Sequence, residues 1–429
     1  MREAFRGAIY HCVDDPGESG RTDCSEYFDD GILVVEDGSI AEVGPAASIL
    51  QKLGDTPITD FSDKLILPGL IDCHVHFPQL DIIASYGKQL LDWLERYAYP
   101  AEMRFADVDY ARDAAAFFLD ELLANGTTTA AVFATVHAHS ADVLFEAAAE
   151  RDMRLIAGKV LMDRNCPKEL RDTAGSAYTD SKALIEKWHG NGRLGYAITP
   201  RFALTSSDAQ LDAAGKLAAE YPDTWVHTHL SENHAEIEAV ASEFPDRANY
   251  LDVYDHAGLV RERSIFAHCL HLDTDERDRL AECGGAIAFC PTSNLFLGSG
   301  LFDLRAMTAA RLRVGIGSDV GGGTSLSLLQ TLGEGYKALQ LQHQTLPPAR
   351  ALYLATLGGA RALYLDDRIG DFAPGKEADF IVVDPAGSRL SERRLRSAAD
   401  TAESLFALLY LGDERHVAAT YVNGRPRAA

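Results

Sequence analysis

Apolar residues in the middle of the chain gather into short runs rich in Val, Ile, Leu, Thr and Phe, separated by longer stretches of helical spacing. Eight runs stand out: Leu67 to His74, Thr127 to Phe133, Met153 to Val160, Leu194 to Thr199, Thr224 to His229, Ser264 to His268, Ala286 to Cys290 and Arg313 to Asp319. Strand-like runs alternating with helices predict parallel βα units, and eight such units predict a TIM-type barrel. The first intervening helix is plain. Ala111 to Ala124 pairs Phe118 with Leu122 and Leu119 with Leu123 at i,i+4, and stops at Asn125-Gly126.

The two ends differ in texture. Gly31 to Gly44 holds two β-type runs around Asp37-Gly38, a strong hairpin signal. Near the other end, Asp379 to Asp384 and Ala418 to Val422 are strand-like, and the second runs into an Asn423-Gly424 turn. The expected fold is therefore α/β: a (β/α)8 barrel over residues 67–374, with a small β-sandwich domain built from residues 1–66 and 375–429.

Composition narrows the function. The chain has 429 residues, 47% apolar and 24% charged, so it carries enough apolar material for a globular core. Acidic residues outnumber basic ones by 64 to 40, for a net charge of -24, which repels phosphate backbones and anionic membranes. A small neutral substrate in a shielded pocket stays open. Apolar stretches such as Leu405 to Leu411 fall well short of the roughly 20 residues that span a bilayer. Met1 to Tyr10 carries charges where a signal peptide would be apolar. Seven cysteines without a C-x-x-C pair predict a reduced, cytoplasmic protein. The Asn125-Gly126-Thr127 sequon then reads as a helix-ending turn.

A TIM barrel keeps its reactive residues at the C-terminal ends of its strands. The first run ends in His74-Val75-His76, and alternate residues of a strand share a face, so the two imidazoles can grip one ion. The fifth ends in His227-Thr228-His229 with Glu232 following, the sixth in His268, and the eighth in Ser318-Asp319. Three imidazoles and a carboxylate suit a zinc-like ion with an open position for water. A lone strand-end histidine is more often a hydrogen-bonded core residue; agreement among four strand ends is what favours a metal. Between His227 and His229, the spacing to Glu232 favours His229 as ligand and leaves His227 inside the barrel. The remaining Glu232 and His268 are then free for proton work.

Other patterns are decoys or fail. His137-Ala138-His139 repeats His-x-His without matching ligands and reads as a loop feature. Cys73 and Cys290 read as small core fillers. His234-Ala235-Glu236 supplies half of a cytidine-deaminase signature, but no P-C-x-x-C follows. Gly315-Ile316-Gly317 lacks the third glycine of a dinucleotide fingerprint, and Gly321 to Gly323 read as a sharp turn beside the candidate ligand Asp319.

Pro68 to His76 (PGLIDCHVH) resembles the first-strand motif of the amidohydrolase superfamily, and over nearly its whole length the chain resembles that superfamily's guanine-deaminase branch. The resemblance is carried by HVHFPQ from His74, LDWLERYAYPAE from Leu91, NGTTTAAVFAT from Asn125, TPRFALTSS from Thr199, HLSENHAEIEAV from His229, FCPTSNLFLGSG from Phe289, GSDVGGG from Gly317 and ATLGGARAL from Ala355. It implies His74, His76, His229 and Asp319 as ligands of one zinc ion per chain. It implies Gln79, Arg201 and Phe202 as purine-contacting residues, together with His268, and Glu232, His268 and Asp319 as catalytic groups. Ile198-Thr199-Pro200 lacks the lysine of two-metal members, which fits a single ion. The implied reaction is hydrolysis of guanine to xanthine and ammonia in purine catabolism, by a homodimer. Asp319 would take a proton from water, Glu232 would protonate ring N3 and serve the departing amine, and His268 would stabilise the oxygen added at C2. Two rivals keep the same framework: a deaminase of another purine or pterin-like amidine such as 8-oxoguanine, and a non-catalytic scaffold.

Overall fold

The computed structural model describes residues 1–427. Eight strands follow one another in chain order around a parallel barrel: Leu70–His76, Thr127–Phe133, Arg154–Gly158, Leu194–Pro200, Trp225–Leu230, Ser264–His268, Ala286–Phe289 and Arg313–Ile316. A two-residue strand, Val160–Leu161, adds to the edge of the fourth. The barrel is drawn towards closure just past the eighth strand, where Asp319 N–H donates to His74 O at 2.9 Å and His76 N–H to Val320 O at 2.9 Å. Most barrel strands are buried throughout, which is why they read as continuous apolar runs rather than alternating ones. The helix expected from Ala111 to Ala124 spans Val108–Ala124 and buries Phe118, Leu119, Leu122 and Leu123 along one stripe.

The second sheet has seven strands in the order Arg425–Arg427, Val417–Val422, Phe380–Val383, Ile58–Pro68, Arg2–Cys12, Ser25–Glu36 and Ser39–Pro45. It is drawn from both ends of the chain, as expected, and its strands form one continuous sheet. Phe5, Leu33, Val35, Phe380 and Tyr421 form the apolar cluster of one face, while Ala4, Ile32 and Val34 pack with Ala46, Ile49 and Leu53 on the other. Both hairpin turns have the two consecutive left-handed residues of a type I′ turn: Asp37 at φ 52° with Gly38 at 84°, and Asn423 at 53° with Gly424 at 75°.

The chain divides into two compact units, residues 1–71, 120–129 and 327–429, and residues 72–119 and 130–326. The run expected from Leu67 to His74 is broken in two. Leu67 and Pro68 end a strand of the seven-stranded sheet, and the barrel strand begins at Leu70. Gly69 sits at the break, where a Cβ would stand 2.1 Å from Thr128 Oγ1. Among the described residues no helix is long and apolar enough to cross a membrane.

Candidate metal centre

Strand parity puts His74, His76 and His229 at one end of the barrel, and the register bond from Asp319 N–H to His74 O brings the eighth strand's carboxylate to the same place. Asp319 Oδ1 lies 3.1 Å from His74 Nε2 and 3.3 Å from His76 Nε2, and His76 Nε2 lies 3.2 Å from His229 Nε2. One ligand atom from each of these four buried residues falls within 4.8 Å of the other three. His74 Nε2 is buried without a hydrogen-bond partner, as an imidazole nitrogen reserved for a cation would be. The donor set of three imidazoles and one carboxylate fits a zinc-like divalent ion.

The surroundings orient these rings. His229 Nδ1–H donates to Arg201 O at 2.6 Å, which leaves Nε2 as the lone-pair nitrogen facing the cluster. His74 Nδ1 lies 2.8 Å from His227 Nε2, so with His74 Nε2 facing a metal, Nδ1 carries the proton and donates to His227. Burial lowers the His74 imidazole to about 4 and holds His229 and His227 well below the usual range, so all three are neutral bases. Burial pushes the Asp319 carboxyl up, but the His74 and His76 rings outweigh it and hold the group well below 3.8, ionised. Asp72 supports the same corner: Oδ1 accepts from the backbone N–H of His74 and of Ser318 at 3.1 and 3.0 Å. Asp319 and His268 occupy left-handed φ values of 49° and 72°, a strained backbone for non-glycine residues that aims both side chains inward. Gly321 to Gly323, read from sequence as a turn needing glycine's freedom of φ, are absent from the left-handed set. They are small for closeness instead: a Cβ would meet Gln79 O at 2.7 Å, Ser293 Oγ at 2.7 Å and Ser318 O at 1.8 Å.

Beside the cluster, His268 Nε2 lies 3.5 Å from Glu232 Oε2 and 3.6 Å from Asp319 Oδ2. Its Nδ1–H donates to Asn294 Oδ1 at 2.8 Å, so Nε2 is the atom presented to the site. Burial pushes the Glu232 carboxyl up to about 7, against the pull of His268, and Ser299 Oγ–H donates to its Oε1 at 2.9 Å. The loop carrying Glu232 is pinned by the buried Glu236, whose Oε2 accepts from the N–H of Glu232 and Asn233 at 2.9 and 3.0 Å while Tyr250 O–H donates to Oε1 at 2.7 Å. Glu236 of the half-signature His234-Ala235-Glu236 thus caps a helix, Asn233 being its N-cap.

The cavity over these groups is lined by His76, Gln79, Arg201, Phe202, His229, Glu232, His268 and Asp319, together with Leu90, Trp93, Leu94 and Leu297. Of the residues expected to bind metal, bind substrate or act in catalysis, all except His74 line it. Phe202 and Trp93 share one apolar cluster with Leu90, Leu94 and Leu297 and so belong both to the core and to the cavity wall. Arg201, which by its sequence type could have been a surface cation, is 2% exposed and paired with Glu102, itself fully buried. His137 and His139 stand apart: their rings stack at 5.6 Å, and His139 Nε2–H donates to Phe105 O. Burial pushes the Cys73 and Cys290 thiols far up, which keeps them unionised.

Glu102, Asn294 and Ser299 received no role from the sequence. All three lie inside segments that carry the resemblance, yet two helix residues, Glu102 and Asn294, and the loop residue Ser299 have no spacing to distinguish them from solvent-facing ones.

Residues 65–427 match the family model described as the amidohydrolase family. The chain belongs to the amidohydrolase family, the class of hydrolases that the barrel and its strand-end His/Asp cluster describe. Within it, the chain is 50% identical to the guanine deaminase of Escherichia coli (strain K12) over 427 residues, covering 99% of this chain and 97% of that protein. Among solved structures, E. coli guanine deaminase superposes with a TM-score of 0.97 at 48% identity, covering 100% of this chain and 99% of that one. A guanine deaminase from C. acetobutylicum with guanine bound in its active site superposes at 0.91 with 31% identity, covering both chains completely.

Proposed function

We infer that this chain hydrolyses guanine to xanthine and ammonia, breaking the exocyclic C–N bond of a cyclic amidine. One observation carries the reading: three members of the four-residue His/Asp cluster, His76, His229 and Asp319, line one cavity with the Glu232–His268 pair and the Gln79–Arg201 wall. His74, His76, His229 and Asp319 would hold one zinc ion per chain. Bound there, the ion supplies Lewis acidity and lowers the pKa of water towards about 7.

The protein's own groups handle protons and orientation. Asp319 is ionised and accepts a proton from the attacking water. Glu232, with a carboxyl near neutrality, gives a proton to ring N3 as water oxygen adds to C2, then takes up the proton of the new C2 hydroxyl and passes one to the departing amine, while the proton first taken by Asp319 restores Glu232 for the next cycle. His268, held through Nδ1 by Asn294, turns Nε2 towards the oxygen of the tetrahedral intermediate and stabilises it. Collapse breaks the C2–amine bond, so guanine and water become xanthine and ammonia. Phe202 covers the base with apolar surface, and Gln79 and Arg201 bind its polar edge.

The same reading extends to setting and assembly. Seven free thiols suit the reducing cytoplasm, and a free neutral base as substrate suits purine catabolism. A homodimer is proposed on the family resemblance. The deciding experiment is ammonia release from metal-loaded protein across guanine, 8-oxoguanine, adenine, cytosine and melamine-type compounds. Guanine should give the highest kcat/KM; a clearly higher value for any other compound moves the assignment to that substrate.

A further inference from the structure

The carboxylate of Glu102 is fully buried and faces two residues of the cavity wall. Arg201 spends one guanidinium nitrogen on it, Nη1 donating to Oε1 at 2.7 Å and to Oε2 at 2.8 Å. Gln79 Nε2 also donates to Oε1, at 3.0 Å, while Gln79 Oε1 accepts from Gly321 N–H at 3.2 Å. A carboxylate paired with a guanidinium only accepts hydrogen bonds. Of the two orientations of the Gln79 amide, one therefore points an N–H at Glu102 and the other points an oxygen at an oxygen. The neighbours, not the shape of the side chain, settle the orientation.

This matters for what the amide can read. Its second N–H and its carbonyl form a donor next to an acceptor, the complement of a cyclic lactam, in which a carbonyl oxygen stands beside a ring N–H. A 6-aminopurine offers the reverse pair, an amino donor beside a bare ring nitrogen. An unrestrained glutamine rotates its amide and reads either edge. We propose that Glu102 is a specificity-determining positioning residue: it locks the Gln79 amide in the single orientation that accepts a 6-oxo, N1–H purine and rejects its 6-amino counterpart. Glu102 touches no reacting atom; it acts through Gln79, and its bond to Arg201 holds a second donor group at the same wall.

The inference rests on the guanine-deaminating reading above, and one comparison separates the two. 2,6-Diaminopurine carries the same 2-amino group as guanine but an amino group at position 6. The kcat/KM ratio of guanine over 2,6-diaminopurine should be at least about 100 in the wild-type holoenzyme, because a mispaired buried edge is strongly rejected. In Glu102→Gln, which removes the stronger of the two contacts orienting the Gln79 amide and leaves only the longer Gly321 N–H bond, the ratio should fall at least about tenfold, with activity on 2,6-diaminopurine lost less than activity on guanine. Gln79→Leu, which leaves the Glu102–Arg201 pair intact, should lower the ratio as well, and it decides the matter if Glu102→Gln does not fold. A purely structural role for Glu102 would depress both substrates alike. An unchanged ratio in folded Glu102→Gln, an unchanged ratio in Gln79→Leu, or a wild-type enzyme indifferent to position 6 overturns the inference. Failure of the wild-type enzyme to deaminate guanine at all would instead overturn the functional reading.

Discussion

Ser299 donates its hydroxyl proton to Glu232 Oε1 across 2.9 Å and thereby fixes which carboxyl oxygen faces His268, since Oε2 is the atom 3.5 Å from His268 Nε2. A carboxyl that must carry a proton in one direction gains from having its other oxygen occupied. Ser299→Ala should lower kcat about tenfold, the equivalent of one hydrogen bond to a charged group, with metal content unchanged. Steady-state kinetics with elemental analysis check this. A variant with wild-type kcat would remove Ser299 from the proton path.

Glu232 itself has the larger effect. Glu232→Gln keeps shape and burial but cannot deliver a proton, so kcat should drop by about 10²- to 10⁴-fold or more while the metal stays bound. Substantial turnover in this variant would assign proton delivery elsewhere, with His268 the next group in line.

The four-ligand cluster sets a third expectation. Exhaustive chelation should abolish deamination and lower the melting temperature, because a cation that binds only the folded chain stabilises it by mass action. One equivalent of zinc should restore both. Full activity in protein holding less than about a tenth of an equivalent of any transition metal would sink the metal assignment.

Arg201→Ala leaves Glu102 buried without its partner, and breaking a buried ion pair from one side costs roughly 3–5 kcal/mol. The variant should therefore melt well below the wild type as well as show a raised KM. Adding Glu102→Leu should recover much of the stability and none of the KM, since the strain of a stranded charge is gone but the purine still lacks its donor. Thermal melts and kinetics on the three proteins separate the effects. A single variant as stable as the wild type would mean that the pair contributes little.

Much of this centre is legible from sequence because periodicity and chemistry coincide at the strand ends. His74 and His76 share a face by the two-residue repeat of a strand, and Asp319 ends an apolar run. Other features have no such signature. Glu102 lies in a helical segment, Tyr99–Met103, where a glutamate is ordinary; only tertiary packing puts it against Arg201 and Gln79. The start of the first barrel strand, expected at Leu67 and found at Leu70, is hidden for a related reason: Leu67 and Leu70 look alike in a continuous apolar string, and the break between the two sheets falls at Gly69, where a side chain would be crowded by Thr128. The glycines after Asp319 signal the turn that the structure shows at Gly321 and Gly322, but whether glycine serves conformation or closeness depends on what lies opposite.

The seven-stranded sheet also has a history in time. Ile58–Pro68 pairs on one side with Arg2–Cys12, which is made early, and on the other with Phe380–Val383, which leaves the ribosome only after every barrel strand. Throughout synthesis of the barrel that edge is an unpaired, apolar strand, the kind of surface that recruits other chains. The stretch left waiting is short, Leu65 to Pro68, and the charged residues Asp63 and Lys64 stand directly before it, so the apolar edge exposed in that interval is only four residues long.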